Sequence, residues 1–211
     1  MSNLLPISRM LPLLDVDLPK CPPVLILQNL MSVVREFCIE TQAWTCELDR
    51  ILVSEDVAEY DLEQPGYARI DTVKSVVWDG RVLRPLVDYV LPTKCSIRLL
   101  SVPTADTDDN EEDAGVEEDD GLFVEVVLVP WRDSTQCVVP AELYDDYQEC
   151  WAAGTKARLM AMKKKPWTDV ARVPKELKDF IEGKNAAKFE QHRAGTNAEL
   201  TATVTPGYDF V

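Results

Sequence analysis

The sequence predicts an α+β fold. One N-terminal and two C-terminal helices form a bundle, a central antiparallel β-sheet or barrel is inserted between them, and extended arms lie at both ends. Three observations carry that expectation. Apolar residues recur at spacings of three and four near residues 24–43 and again after Pro140. Between those segments the period falls toward two, in short runs rich in branched and aromatic residues. At 211 residues and 46% hydrophobic content, the chain can bury one sizeable core.

The first 23 residues carry Pro6, Pro12, Pro19, Pro22 and Pro23, which remove backbone donors and favour extended backbone, so 1–23 is expected as an arm. Helix 24–43 follows, with Leu27, Leu30, Met31, Val34, Phe37, Cys38 and Thr41 on one face and Arg35, Glu36 and Glu40 between them. The β-region, 44–139, includes strands near 44–48, 73–78, 87–91, 96–102 and 122–129. Asp79-Gly80 between apolar runs is a tight-hairpin signal, because glycine accepts the positive φ of a primed turn. The most apolar strand, 122–129, is expected to pair with 97–102, which makes 104–120 a long hairpin tip.

Helical period returns over 140–163, with Leu143, Tyr147, Cys150, Trp151, Ala157 and Met160 on one side. Pro140 suits the first turn, Glu142, Asp145 and Asp146 complement the positive helix end, and Pro166 stops the helix. Gly154 in mid-helix points to a close approach by another backbone, with plain tolerance as the alternative, since glycine there costs about 1 kcal/mol relative to alanine. A last helix, 171–193, carries a narrow apolar stripe of Val173, Leu177, Phe180, Ile181 and Phe189. The core domain is thus expected over 24–198. Residues 199–211 are expected either as a frayed terminus or as a C-terminal arm that docks on a neighbouring subunit by strand addition, through Thr203, Val204, Tyr208 and Phe210.

Charge is distributed unevenly. The block 106–120 holds ten acids and no base: Asp106, Asp108, Asp109, Glu111, Glu112, Asp113, Glu117, Glu118, Asp119 and Asp120. These supply −10 of the formal −15, and such crowding of like charges is expected to form a solvated loop. Lys156 to Arg193 instead carry eleven bases and five acids. An acidic chain does not grip nucleic acid over its whole surface, whereas a polarised one suits a partner of opposite charge. Arg158, Lys163, Lys164 and Lys165 are the candidates for such charged contacts.

Residues that do chemistry are scarce. The six cysteines form no C-x-x-C pair and His192 is the lone histidine, so no metal site is expected. No phosphate-cradling glycine pattern occurs, the acids crowd one loop, and 106–112 lacks the glycine and terminal glutamate of a calcium hand. No enzymatic activity, cofactor, signal peptide or membrane span is expected.

The order of motifs is informative. Leu18-Pro19-Lys20-Cys21-Pro22 leads into a helix with Val34-Arg35-Glu36-Phe37-Cys38 and Thr41, Ala43 and Trp44. Then come Trp78-Asp79-Gly80-Arg81, with Leu83-Arg84-Pro85, and a helix ending in Ala161-Met162 and Lys165-Pro166-Trp167-Thr168-Asp169. Over roughly residues 15–195 this resembles the head-to-tail adaptor (connector) proteins of tailed bacteriophages, particularly short-tailed ones. It departs from them in the acidic insertion 104–120. The resemblance implies a non-enzymatic virion protein, made in the host cytoplasm, that assembles with itself into a ring, commonly of twelve copies. Such a ring sits at the head-tail junction between the portal protein and a tail or nozzle protein, and DNA passes through it without sequence-specific binding. The alternative, from the acidic block, is a soluble acidic binding protein that mimics nucleic acid toward a basic partner.

Overall fold

A computed structural model describes residues 3–54, 57–101, 121–131 and 137–195. Four helices occur among them: α1 (Leu11–Asp17), α2 (Pro23–Thr41), α3 (Ala141–Met160) and α4 (Val173–Gly195). The strands are β1 (Leu4–Pro6), β2 (Thr45–Glu47), β3 (Ile51–Leu52), β4 (Glu59–Asp61), β5 (Ala68–Trp78), β6 (Arg81–Val82), β7 (Tyr89–Thr93), β8 (Ser96–Leu99), β9 (Gly121–Pro130) and β10 (Val138–Pro140). The fold is α+β, with antiparallel sheet inserted in sequence between α2 and the two C-terminal helices. Pro23 opens α2, where a missing N–H costs nothing, and Gln42 ends it in the left-handed region at φ 54°.

The β-region is divided more finely than its sequence suggests. β9 is the spine of a five-stranded sheet ordered β2-β9-β5-β6, with β3 pairing the start of β9. β4, β8 and β7 form a separate three-stranded sheet, and β1 pairs β10. The expected pairing of 97–102 with 122–129 is therefore corrected: β9 lies along β5, from Ala68 opposite Pro130 to Trp78 opposite Leu122. Length and burial explain the choice. Leu122, Val124, Val126, Val127, Leu128 and Val129 are all buried, so β9 needs a long partner, and β5 has eleven residues against four in β8. The acidic stretch accordingly connects strands of two different sheets rather than two paired neighbours. The Asp79-Gly80 turn forms as expected. Both residues have positive φ, 50° and 67°, and Val77 faces Val82 across the hairpin.

The first residues also need correction. The expected extended arm 1–23 contains β1, a 3-10 turn over Ile7–Met10, and α1. Pro12 falls in the first turn of α1, where proline is tolerated, and Ile7, Met10, Leu14 and Leu18 recur at spacings of three and four, all fully buried. The Ile7 N–H donates to the Cys137 carbonyl at 3.0 Å, tying this lead-in to the region before β10. The core thus begins near residue 4, not residue 24.

α3 is the axis of the bundle. Its Trp151 is fully buried, with the Phe37 ring of α2 edge-on at 5.8 Å and Tyr144 at 6.4 Å. Gly154 lets the helices close. A Cβ there would lie 2.8 Å from Phe180 Cδ2 of α4 and 2.9 Å from Val33 Cγ1 of α2. Neither neighbour has room to step aside in a packed core. Gly154→Ala is therefore expected to destabilise the fold by about 1 kcal/mol, the overpacking outweighing the gain in helix propensity. A urea-unfolding midpoint equal to or above that of the parent contradicts this.

Candidate interaction surface

Lys163, Lys164 and Lys165 lie on the turn that carries the chain from α3 to α4, and all three are exposed. Local chemistry fixes this turn. Lys164 sits in the left-handed region at φ 59°, the Lys165 N–H donates to Thr168 Oγ1 at 3.0 Å, and the Thr168 hydroxyl donates to the Met162 carbonyl. The Asp169 N–H returns to the Met160 carbonyl at 3.2 Å, while buried Trp167 anchors the loop from below. The three ammonium groups make no ion pair among the described residues, and all three residues are exposed on a hydrogen-bonded turn.

Arg158 is placed differently. It pairs with Glu36 of α2 and donates to Ser32 Oγ at 3.0 Å, so the candidate for contact with a neighbour is engaged inside the chain. Lys184 of α4 reaches the same Glu36 at 3.1 Å and Glu40 at 3.0 Å, with Lys188 3.6 Å from Glu40. Burial alone opposes the charge on Lys184, but hydrogen bonds to Glu40 and Glu36 prevail and raise its pKa. A second knot joins α1, α3 and α4. Lys156 Nζ lies 2.9 Å from buried Glu176 and 3.4 Å from Asp17, and Arg172 Nη2 is 3.1 Å from each of those carboxylates. Spacing on the separate helices gives no sign of either knot, because every partner is remote in sequence except Arg172 and Glu176.

The apolar stripe expected on α4 divides in two. Phe180 and Ala187 face inward with Glu176, whereas Leu177, Ile181 and Phe189 are 46%, 45% and 63% exposed. A helical wheel contains this signal: 176, 180, 183 and 187 share one face, and 177, 181 and 189 lie on the other side.

Several buried thiols and one phenol hold their protons more tightly than usual. Burial pushes the Cys137 thiol up to about 12 and the Cys150 thiol up to about 11, and it raises Cys38 further. A thiol that holds its proton is a poor nucleophile. Tyr147, its phenol likewise raised by burial and by its bond to Glu190, donates to that carboxylate at 2.6 Å across α3 and α4. These two residues edge a groove of about 640 Å³ between α1, α3 and α4, whose floor includes Ala152, Ala153 and Gly183. Among the described residues, no three metal-ligating side chains converge and no helix is long and apolar enough to cross a membrane. The acidic residues from Asp106 to Asp120, and the arm residues Thr203, Val204, Tyr208 and Phe210, lie outside the described residues.

No protein-family model matches the chain, and no curated protein matches it.

Proposed function

We propose that this chain is a virion structural protein, a head-to-tail adaptor that assembles as a ring between portal and tail and encloses the DNA passage. Its mechanism is contact rather than catalysis. The observation that carries the reading is the basic turn. Five cations of the bundle, Lys156, Arg158, Arg172, Lys184 and Lys188, are paired within the chain with Glu36, Glu40, Asp17 or Glu176, while Lys163, Lys164 and Lys165 stand exposed together at one end of α3 without an ion pair among the described residues. Exposed charges grouped on a hydrogen-bonded turn suit an acidic surface on a partner. The helix, sheet, helix, helix order agrees with the resemblance in its motifs.

Electron microscopy of the purified protein, alone and mixed with the portal protein of the same virus, tests this reading. Rings with portal bound on one face are expected. Replacing Lys163, Lys164 and Lys165 together by Glu is expected to weaken portal association at least tenfold and to abolish its salt dependence. Deleting 200–211 is expected to lower it as well. A protein that stays monomeric with portal and is absent from finished particles sinks the proposal.

The acidic block supports a second reading, a nucleic-acid mimic that titrates a basic factor, because ten carboxylates in fifteen residues approach the charge density of a phosphate backbone. Excising 104–120 separates the two. An adaptor still enters particles, whereas a mimic loses its partner.

A further inference from the structure

The groove between α1, α3 and α4 is apolar on its floor and acidic on its rim. Ala152 and Ala153 of α3 and Gly183 and Ala186 of α4 form the floor, with Leu13 and Leu14 of α1 beside them. A Cβ on Gly183 would lie 2.6 Å from Cys150 Sγ, so the packing of α3 on α4 keeps the floor free of a side chain there. Along α4 the lining runs from Glu176 to Glu190, about 21 Å at 1.5 Å per residue, or about four helical turns.

Six acids and three bases line this groove. Asp17 and Glu176 are answered by Lys156 and Arg172 in the knot that joins the three helices. Glu190 accepts the Tyr147 hydroxyl, which brings no charge. That leaves Asp146, Glu149 and Asp179 without a cation within ion-pair distance among the described residues, against one lysine, Lys175, that has no carboxylate there either. Arg193 lies over the Phe189 ring at 5.8 Å and does not line the groove. On α3 the acidity continues, because Glu142 precedes Asp146 by one turn and Asp145 precedes Glu149 by one, and all four are exposed on a shared face. Like charges at these spacings disfavour a helix. The helix dipole relieves carboxylates in the first turn alone, so Asp146 and Glu149 are relieved only by a cation from outside the chain.

The carboxylate excess repels phosphate groups, nucleic acid and anionic lipid, and it selects a cationic occupant. The walls select its form. An extended peptide would bury its own N–H and C=O groups against helices whose backbone groups are already bonded internally, whereas a helix satisfies those groups itself. We propose that the groove between α1, α3 and α4 receives a cationic amphipathic helix of a partner protein. Its apolar stripe lies on Ala152, Ala153, Gly183 and Ala186, and its Lys or Arg side chains face Asp146, Glu149 and Asp179. Asp146 stands about 21 Å before the end of α3, where the basic turn begins, so the chain carries two docking surfaces of opposite charge. This rests on the groove of a single chain, and it holds or fails whether or not the protein forms a ring.

Photocrosslinking with the full chain tests it. The probe is an acetylated and amidated helical peptide of leucine, alanine and lysine, about 16 residues long to match the groove, with one p-benzoylphenylalanine on its apolar face. Irradiation is expected to join it to the stretches 146–156 or 179–190, and joining mainly to 106–120 overturns the proposal. A peptide of the same composition with its lysines scattered round the helix is expected to bind at least tenfold more weakly; equal affinity means that charge alone acts and overturns it. Asp146→Lys with Glu149→Lys, and separately Ala186→Trp, change exposed positions, and each is expected to weaken binding of the patterned peptide at least tenfold with unchanged circular dichroism. Parent affinity in either variant overturns the proposal, as does self-association that excludes the peptide, which would seat a second copy in the groove.

Discussion

Replacing Trp151 by Ala is expected to remove about 3–5 kcal/mol of stability, among the largest losses any single substitution in this chain would produce. The indole is fully buried where α3 meets α2, between the Phe37 and Tyr144 rings. Truncation empties a space that neighbouring helices cannot fill, because Gly154, one turn on, already holds them at minimum separation. For a domain of this size the loss corresponds to a fall in Tm of roughly 10 °C. Trp151→Phe discriminates the cause. The indole N–H is buried with no hydrogen-bond partner among the described residues, so its removal relieves a desolvation cost while the ring contacts largely remain. That variant is expected to lose under about 1.5 kcal/mol. Equal losses in the two variants, measured by urea denaturation, would mean that the ring edges contribute nothing and that the account of the core is wrong.

The same region shows why some of the fold was legible in sequence and some was not. The faces of α2 and α3 were readable because Leu30, Val34, Phe37 and Trp151 follow the helical period and the burial of each is decided by its own helix. Gly154 was readable as a close approach for a local reason too, the cost of glycine in a helix, although its neighbours are the side chains of Phe180 and Val33 rather than a backbone. The lead-in was not. Its prolines bias the backbone toward extension, but Pro12 falls in a helix's first turn, where that bias vanishes, and only packing reveals the period in Ile7, Met10, Leu14 and Leu18. Strand pairing was hidden for another reason. The choice of β5 over β8 as partner of β9 depends on strand length and on burial of both faces of β9, and sequence proximity favours the wrong neighbour. At the candidate surface the exposure of Lys163, Lys164 and Lys165 followed from a helix end and Pro166. The engagement of Arg158 with Glu36 did not, because those residues are 122 apart in the chain.

Glu176 is expected to be the most sensitive charged position. Its side chain is 4% exposed, and it receives Lys156 at 2.9 Å and Arg172 at 3.1 Å. Glu176→Ala leaves those two cations sharing Asp17 at a site built for two carboxylates, and a loss of about 2–3 kcal/mol is expected, short of the full cost of orphaning a buried charge because Asp17 remains. Pairing it with Lys156→Met distinguishes coupling from simple truncation. If the two residues stabilise the fold through one another, the double variant loses clearly less than the sum of the single losses; additivity to within about 0.5 kcal/mol would show that they do not. The knot also fixes the acid response. Burial acts to raise the Asp17 pKa, but the hydrogen bond from Arg172 and the charge of Lys156 prevail and hold it below its ordinary value of 3.8. A carboxyl depressed on folding contributes stability above its unfolded pKa and loses it as pH falls through the lower folded value. Stability is therefore expected to decline below about pH 4, with a component that Asp17→Asn removes. The Asn variant should be less stable than the parent at pH 7 and should converge toward it at pH 2–3. Parallel pH profiles for the two proteins would separate Asp17 from the cations it faces.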